Sequence, residues 1–218
     1  MDTLSEVKKL NLGCGPVQPE NWINVDGSNR AKLANKLPWL DSLLQKVGLI
    51  GETEFGPHVE ILDLTKKLPY ESNSIDAIYA GELWEHFEYE AAENLTRECS
   101  RVLKPGGVLR VCVPDCEDIW KTYIDLIQEE KNKPAGQRSD DKIVKHVKMY
   151  FNDICTRRPW LGSMGHTHKW NYDEVQLVSL FERCGLVDVE RSKFHQSRTE
   201  DVQQVERSDF LIVEGVAA

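Results

Sequence analysis

The chain has 218 residues, 40% of them hydrophobic, which is enough for one well-filled core and short of a second full domain. Lys and Arg number 27 against 36 Asp and Glu, and the few basic pairs (Lys8-Lys9, Lys66-Lys67, Arg157-Arg158) are scattered, so the net charge of −9 argues against a nucleic-acid binder. No apolar run approaches the roughly 20 residues of a membrane span, no apolar block near the start resembles a signal peptide, and six cysteines without Cys-x-x-Cys spacing read as buried reduced thiols in a cytoplasmic protein.

Lys8 to Pro16 reads as a short apolar strand running into a turn marked by Gly13 and Gly15. Trp22-Ile23-Asn24-Val25 is a second strand, ending on Asp26. Pro38 to Val47 is predicted as a helix, with proline in its first turn, Leu40, Leu43, Leu44 and Val47 on one face, and Gly48 as its stop. Val59 to Leu62 is a third strand, ending on Asp63, and Ile75 to Ala80 a fourth, ending on Gly81-Glu82. Phe87 to Leu103 carries an apolar stripe at helical spacing and is closed by Lys104-Pro105-Gly106-Gly107, which turns into a fifth strand, Val108 to Val113, followed by Pro114-Asp115. Ile119, Trp120, Tyr123, Ile124 and Ile127 make another helical face, Gln128 to Asp141 a polar loop, and Ile143, Val147 and Phe151 a further short helix. Tyr172 to Cys184 is the last helix, ended by Gly185, and Val187 to Ser192 and Phe210 to Glu214 are the closing strands. The order gives an α/β, Rossmann-like plan: a mostly parallel seven-stranded sheet with helices on both faces and a helical insertion after the fifth strand.

Four of the first five strands deliver an acid at or just past the C-terminal end, the edge where open α/β sheets bind ligands. Any one of these acids could be a helix cap or a turn former; their recurrence favours a site. Gly-x-Gly after the first strand lets a ligand approach the backbone. An acid at the tip of the next strand suits a ribose, whose two hydroxyls can both donate to one carboxylate.

Five ordered motifs resemble class I S-adenosylmethionine-dependent methyltransferases: Leu10 to Pro16; Asn24-Val25-Asp26; Asp63-Leu64 with Leu68-Pro69-Tyr70 and Asp76; Glu85-His86; and Arg101 to Gly107. The resemblance spans Lys8 to Asp115 and resumes at Leu180 to Leu186; a set of short methyltransferases associated with glycan or surface-polysaccharide pathways is the most similar subgroup. It implies one methyltransferase domain over residues 1–218 with S-adenosylmethionine as cofactor. Asn11, Gly13, Cys14, Gly15 and Pro16 would lie under the cofactor's methionine part, Asp26 and Gly27 at the ribose, Asp63 at the adenine amino group with Leu64 on the ring, and Gly81 and Glu82 at the sulfur end. The chain departs from the family in one respect. Only six residues separate Gly15 from Trp22, two of them proline, so the helix that normally follows the glycine turn has no room beyond about one turn. Val17 stands where a third glycine is often found, and Asn11 where many relatives carry an acid.

Methyl transfer is an in-line displacement at a sulfonium, so the protein must position the acceptor and help remove one proton from it. Glu85 and His86, beside the expected methyl group, are candidates, with His86 the first choice for general base. His166 and His168, in the run Gly165 to Tyr172, are the second group, and Asp115 is a candidate for holding an acceptor hydroxyl or for capping the next helix. His-x-His could ligate a metal or belong to a turn that packs Trp170; a lone pair is weak evidence, and no metal is assigned. Residues 116–165 form a candidate acceptor lid whose aromatics and Arg157-Arg158 suit sugars or a nucleotide-diphosphate sugar, though the same aromatics could be core or the surface of a homodimer. Gly162 to Gly165 would let it move. The expected reaction is O-methylation of a sugar, glycan or other small hydroxylated acceptor; nitrogen or carboxyl acceptors and a non-catalytic relative remain open. A dinucleotide oxidoreductase would need the third glycine that Gln18 replaces, and propylamine transfer a more acidic pocket.

Overall fold

The computed structural model describes residues 7–51, 55–151 and 167–218. Six strands form one sheet in the order β2-β1-β3-β4-β6-β5: β1 Lys9–Leu12, β2 Ile23–Val25, β3 Ile75–Gly81, β4 Leu103–Val113, β5 Leu186–Arg191 and β6 Leu211–Ala217. The β1–β2, β1–β3 and β3–β4 pairs are parallel, whereas β6 runs antiparallel to both β4 and β5. The sheet is therefore mixed, with six strands among the described residues rather than the expected seven. The segment 59–62 contributes a single bridge, Glu60 to Val25, because β2 offers only three residues to pair with. Two backbone bonds hold it, Glu60 N–H to the Asn24 carbonyl (2.8 Å) and Asp26 N–H to the Glu60 carbonyl (3.0 Å).

Alternation along the strands separates two faces. Leu10, Leu12, Ile78, Ala80, Leu109, Val111, Leu211 and Val213 pack into the main core with α3 (Tyr89–Val102) and α6 (Glu174–Arg183). Tyr79, Cys112 and Ile212 point the other way and meet Trp22, Val202 and Val205. Helices on both faces were expected; among the described residues, this second cluster holds none from the six α-helices. The helix that would lie here has no chain to form it between Gly15 and Trp22, and the β5–β6 connection, 192–210, covers the strands instead.

A helix without an apolar stripe, α1 (Asn29–Lys36), follows β2, started by the Ser28 hydroxyl accepting from the Ala31 N–H at 3.0 Å. It is joined by an Arg30–Asp41 ion pair to α2 (Pro38–Lys46). The expected turn at 104–107 lies inside β4 as an irregularity, with Gly106 at φ +81°. After β4 come α4 (Cys116–Lys131), which continues past the loop start expected at Gln128, and α5 (Asp141–Met149). Among the described residues no helix is long and apolar enough to cross a membrane.

Candidate active site

The chain leaves β1 to form β2 on one side and later β3 on the other, so a crevice opens between the C-terminal ends of β1 and β3. Gly13 and Gly15 turn there at φ +66° and +52°, in the left-handed region that favours glycine. Cys14 between them is buried, its N–H on the Val25 carbonyl at 3.1 Å, and desolvation first and the Asp26 carboxylate second push its thiol up to about 12. It is a packing residue at ordinary pH.

Asp26 locks this turn to the next one. One carboxylate oxygen accepts from the Gly15 N–H (3.1 Å) and the other from the Ser28 N–H (2.8 Å). A side chain on Gly27 would run into the Leu62 carbonyl. Asn11 is held by its neighbours. Its amide donates to the Val17 carbonyl (2.8 Å) and to Asn24 Oδ1 (3.0 Å), so it fastens the short connection behind the turn. Pro16 is exposed on that connection.

Past the 59–62 segment, Asp63 is exposed and accepts from the Thr65 hydroxyl (2.6 Å) and N–H (3.1 Å), bonds that hold its carboxyl below the usual range. Its carboxylate shapes its own turn. Leu64 is packed in the core.

At the tip of β3, Gly81 is followed by Glu82 at φ +54°, a conformation non-glycine residues adopt rarely and mostly where structure forces it. The force comes from its N–H on the Cys112 carbonyl (2.8 Å) and its carboxylate accepting from the Ser208 hydroxyl. A short helical turn, Trp84–His86, comes next, anchored by the buried Trp84 indole donating to the Thr96 hydroxyl at 3.0 Å.

Glu85, His86 and His168 converge above that anchor. The Glu85 carbonyl accepts from the N–H groups of Lys169 (2.7 Å) and Trp170 (3.2 Å), which brings the 167–170 segment over the turn. His86 Nδ1 lies 3.2 Å from the Thr167 carbonyl, and since a carbonyl only accepts, that nitrogen carries the proton. The two imidazoles meet edge to face, centroids 4.9 Å apart at 84°, and His168 Nε2 is 3.9 Å from Glu85 Oε1. His86 thus stands in a three-residue cluster and not as an isolated base. His166 lies outside the described residues, as do Gly162 to Gly165, Arg157 and Arg158.

Asp115 is the N-cap of α4. One oxygen accepts from the Glu117 N–H (3.0 Å) and the other lies 3.3 Å from Arg191. Burial raises its pKa. The capping contact is thus formed.

Residues 10–111 match the family described as "Methyltransferase domain". The chain carries a methyltransferase domain. Its methyl donor is S-adenosylmethionine. No curated protein matches the chain. Among solved structures, a SAM-dependent methyltransferase from Archaeoglobus fulgidus is similar at 12% identity and TM-score 0.51, with 97% of this chain and 86% of that one covered. A SAM-dependent methyltransferase from Thermotoga maritima, described as a possible histamine N-methyltransferase, is similar at 18% identity and TM-score 0.50, with 99% and 84% covered. These likenesses concern the fold.

The methyltransferase also places in the crevice a residue that sequence reasoning missed. Arg207, at the end of the 192–210 connection, donates to the Gly81 carbonyl at 3.1 Å and reaches the Gly13 carbonyl at 3.5 Å. It spans the tips of β1 and β3, and a side chain on Gly15 would come within 3.0 Å of it. A lone arginine in a polar loop carries no motif that would single it out.

Proposed function

We propose that this methyltransferase transfers the methyl group of S-adenosylmethionine to a hydroxyl of a sugar, glycan or other small hydroxylated acceptor. The supporting observation is the Glu85–His86–His168 cluster, three residues past the Gly81–Glu82 tip where the sulfur end of the cofactor is expected. An alcohol is a poor nucleophile until its proton leaves, and a cluster of one buried carboxylate and two partly buried imidazoles beside the methyl group meets that need. In this reading Gly13, Gly15 and Asp26 hold the methionine and ribose parts, Gly81 and Glu82 border the sulfur, and the cluster acts on the acceptor.

Residues 116–165 serve as the acceptor cover of a single domain spanning 1–218. In its described part, Trp120 lies 5.2 Å from Tyr150, and Tyr150 lies 5.3 Å from Phe151, ring to ring, with Trp120 and Phe151 exposed as sugar-stacking surfaces require. Cys14, Cys99, Cys112, Cys116 and Cys184 are unbridged thiols, in keeping with a reducing, cytoplasmic setting.

Two measurements test the reading. S-adenosylhomocysteine should raise the melting temperature and NAD should not. A labelled-methyl assay over sugars, nucleotide sugars and matched amines should transfer label to hydroxyl acceptors; transfer confined to amines or carboxylates overturns the acceptor assignment.

A further inference from the structure

We infer that Glu85, His86 and His168 form a binding site for a divalent transition-metal ion, at which the acceptor hydroxyl completes the coordination. The second half of this statement rests on the proposed O-methylation; the first does not.

Each of the three residues offers one ligand atom, and all three atoms lie within 4.8 Å of one another. Neighbouring ligands of a tetrahedral ion at about 2.1 Å stand roughly 3.4 Å apart, so side-chain rotations that move these atoms by about an ångström close the set. The ligands come from two chain segments that main-chain bonds hold together: Lys169 and Trp170 N–H on the Glu85 carbonyl, and the Thr167 carbonyl on His86 Nδ1. That last bond does for His86 what second-shell carbonyls do for metal-bound imidazoles. It fixes the tautomer and leaves Nε2 with the lone pair an ion needs. Glu85 and His168 side chains are 2% and 9% exposed, and at such depth a carboxylate attracts a cation far more strongly than it does in water.

The donor set names the class of ion. Two imidazoles and one carboxylate suit Zn²⁺, Mn²⁺, Fe²⁺ or Co²⁺, whereas Mg²⁺ and Ca²⁺ prefer all-oxygen sites. Three protein ligands leave positions open for the acceptor. The step balances without a further reactant. The acceptor's O–H ionises on the cation, its proton passing to solvent water. The alkoxide then attacks the methyl carbon, and the C–O bond forms as the S–C bond breaks. The electron pair returns to sulfur, and a methyl ether and neutral S-adenosylhomocysteine leave. In this arrangement His86 is a ligand, and the ion takes over the work expected of a general base.

The test uses the full, untagged chain, stripped with a chelator and titrated with Zn²⁺ and with Mn²⁺ by calorimetry, with no cofactor or acceptor present. One site per chain is expected, weakened about a hundredfold or more in His168→Ala and unchanged in His195→Ala, whose imidazole lies elsewhere. Equal affinity in wild type and His168→Ala, or no stoichiometric binding, overturns the site. Should His168→Ala fail to fold by circular dichroism, pulsed electron paramagnetic resonance on the Cu²⁺-loaded wild type decides. Two coupled imidazoles support the site, and none overturns it. Metal binding without stabilisation by S-adenosylhomocysteine would instead remove the proposed function and leave the site standing.

Discussion

Arg110 and Glu206 meet through two parallel hydrogen bonds, Nε to Oε1 at 2.8 Å and Nη2 to Oε2 at 3.1 Å, with side chains only 1% and 0% exposed. Glu214, facing Arg110 across the β4–β6 ladder, adds a third contact at 3.1 Å, and the guanidinium also donates to the Lys193 and Gln196 carbonyls. This fork pins the 192–210 connection onto the sheet face whose cluster, among the described residues, holds no α-helical residue. Because Arg207 follows Glu206 directly, the same fork sets where Arg207 enters the crevice.

Arg110→Met should therefore be among the most damaging single changes in the protein. It would strand two buried carboxylates, at a cost of about 3–5 kcal/mol, while fitting a side chain of similar length. Urea unfolding at neutral pH measures it. The triple change Arg110→Met, Glu206→Gln, Glu214→Gln should recover part of the loss, because the stranded charges go with their partner; a triple variant less stable than the single would contradict this account.

Arg207 stands where the carboxylate of the cofactor's methionine part is expected, above Gly13 and beside Gly81. Arg207→Met should weaken S-adenosylhomocysteine binding about tenfold to a hundredfold, the range of a hydrogen bond to a charged group. Methylthioadenosine lacks that carboxylate, so its affinity should stay level. Equal losses for both ligands by calorimetry would mean that Arg207 shapes the crevice without reading the carboxylate.

The parts of this arrangement that were legible in the sequence are those governed by local chemistry. Gly13-Cys14-Gly15 and the acid at the tip of β2 announce a turn and a partner, and the structure brings Gly15 and Asp26 to 3.1 Å. α2, α3 and α6 were readable from apolar periodicity, but α1 was not, because Ser28 starts it and no stripe marks it. The strand expected at 59–62 looked apolar enough, yet strand length is decided by the neighbour, and β2 is too short to extend it. The shortage of chain between Gly15 and Trp22 was visible, but what fills the gap comes from nearly 180 residues later. Arg110, a charge in the middle of an apolar strand, was the one local sign that a distant acidic partner had to exist.

Asp26 has two duties that substitution can separate. Its oxygens hold the Gly15 and Ser28 N–H groups, and the proposed site also puts the ribose against it. Asp26→Asn keeps one acceptor and sets an amide against the other N–H, so stability should fall by about 1–3 kcal/mol. Ribose recognition predicts more: wild type should prefer S-adenosylhomocysteine over its ribose-deoxy analogue, and the variant should lose that preference. A preference that survives in Asp26→Asn would limit Asp26 to holding the turn.

Asp115 predicts a pH dependence with a definite sign. Burial raises its pKa in the folded chain, against the helix-capping N–H bond from Glu117, which lowers it. A carboxyl whose folded pKa lies above its unfolded value binds its proton more tightly when folded. Its contribution to stability is then fully present below the unfolded value of about 3.9, and is lost as pH rises through the folded value. Asp115→Asn removes the titration but keeps an equally good N-cap. What it gives up is the contact with Arg191, which is 43% exposed and worth under about 1 kcal/mol. The stability of Asp115→Asn relative to wild type should therefore climb as pH is raised from about 4 towards neutrality and then level off. Urea midpoints taken in steps across that range measure it, and a difference that stays flat or falls would show that the cap and Arg191, rather than desolvation, control this carboxylate.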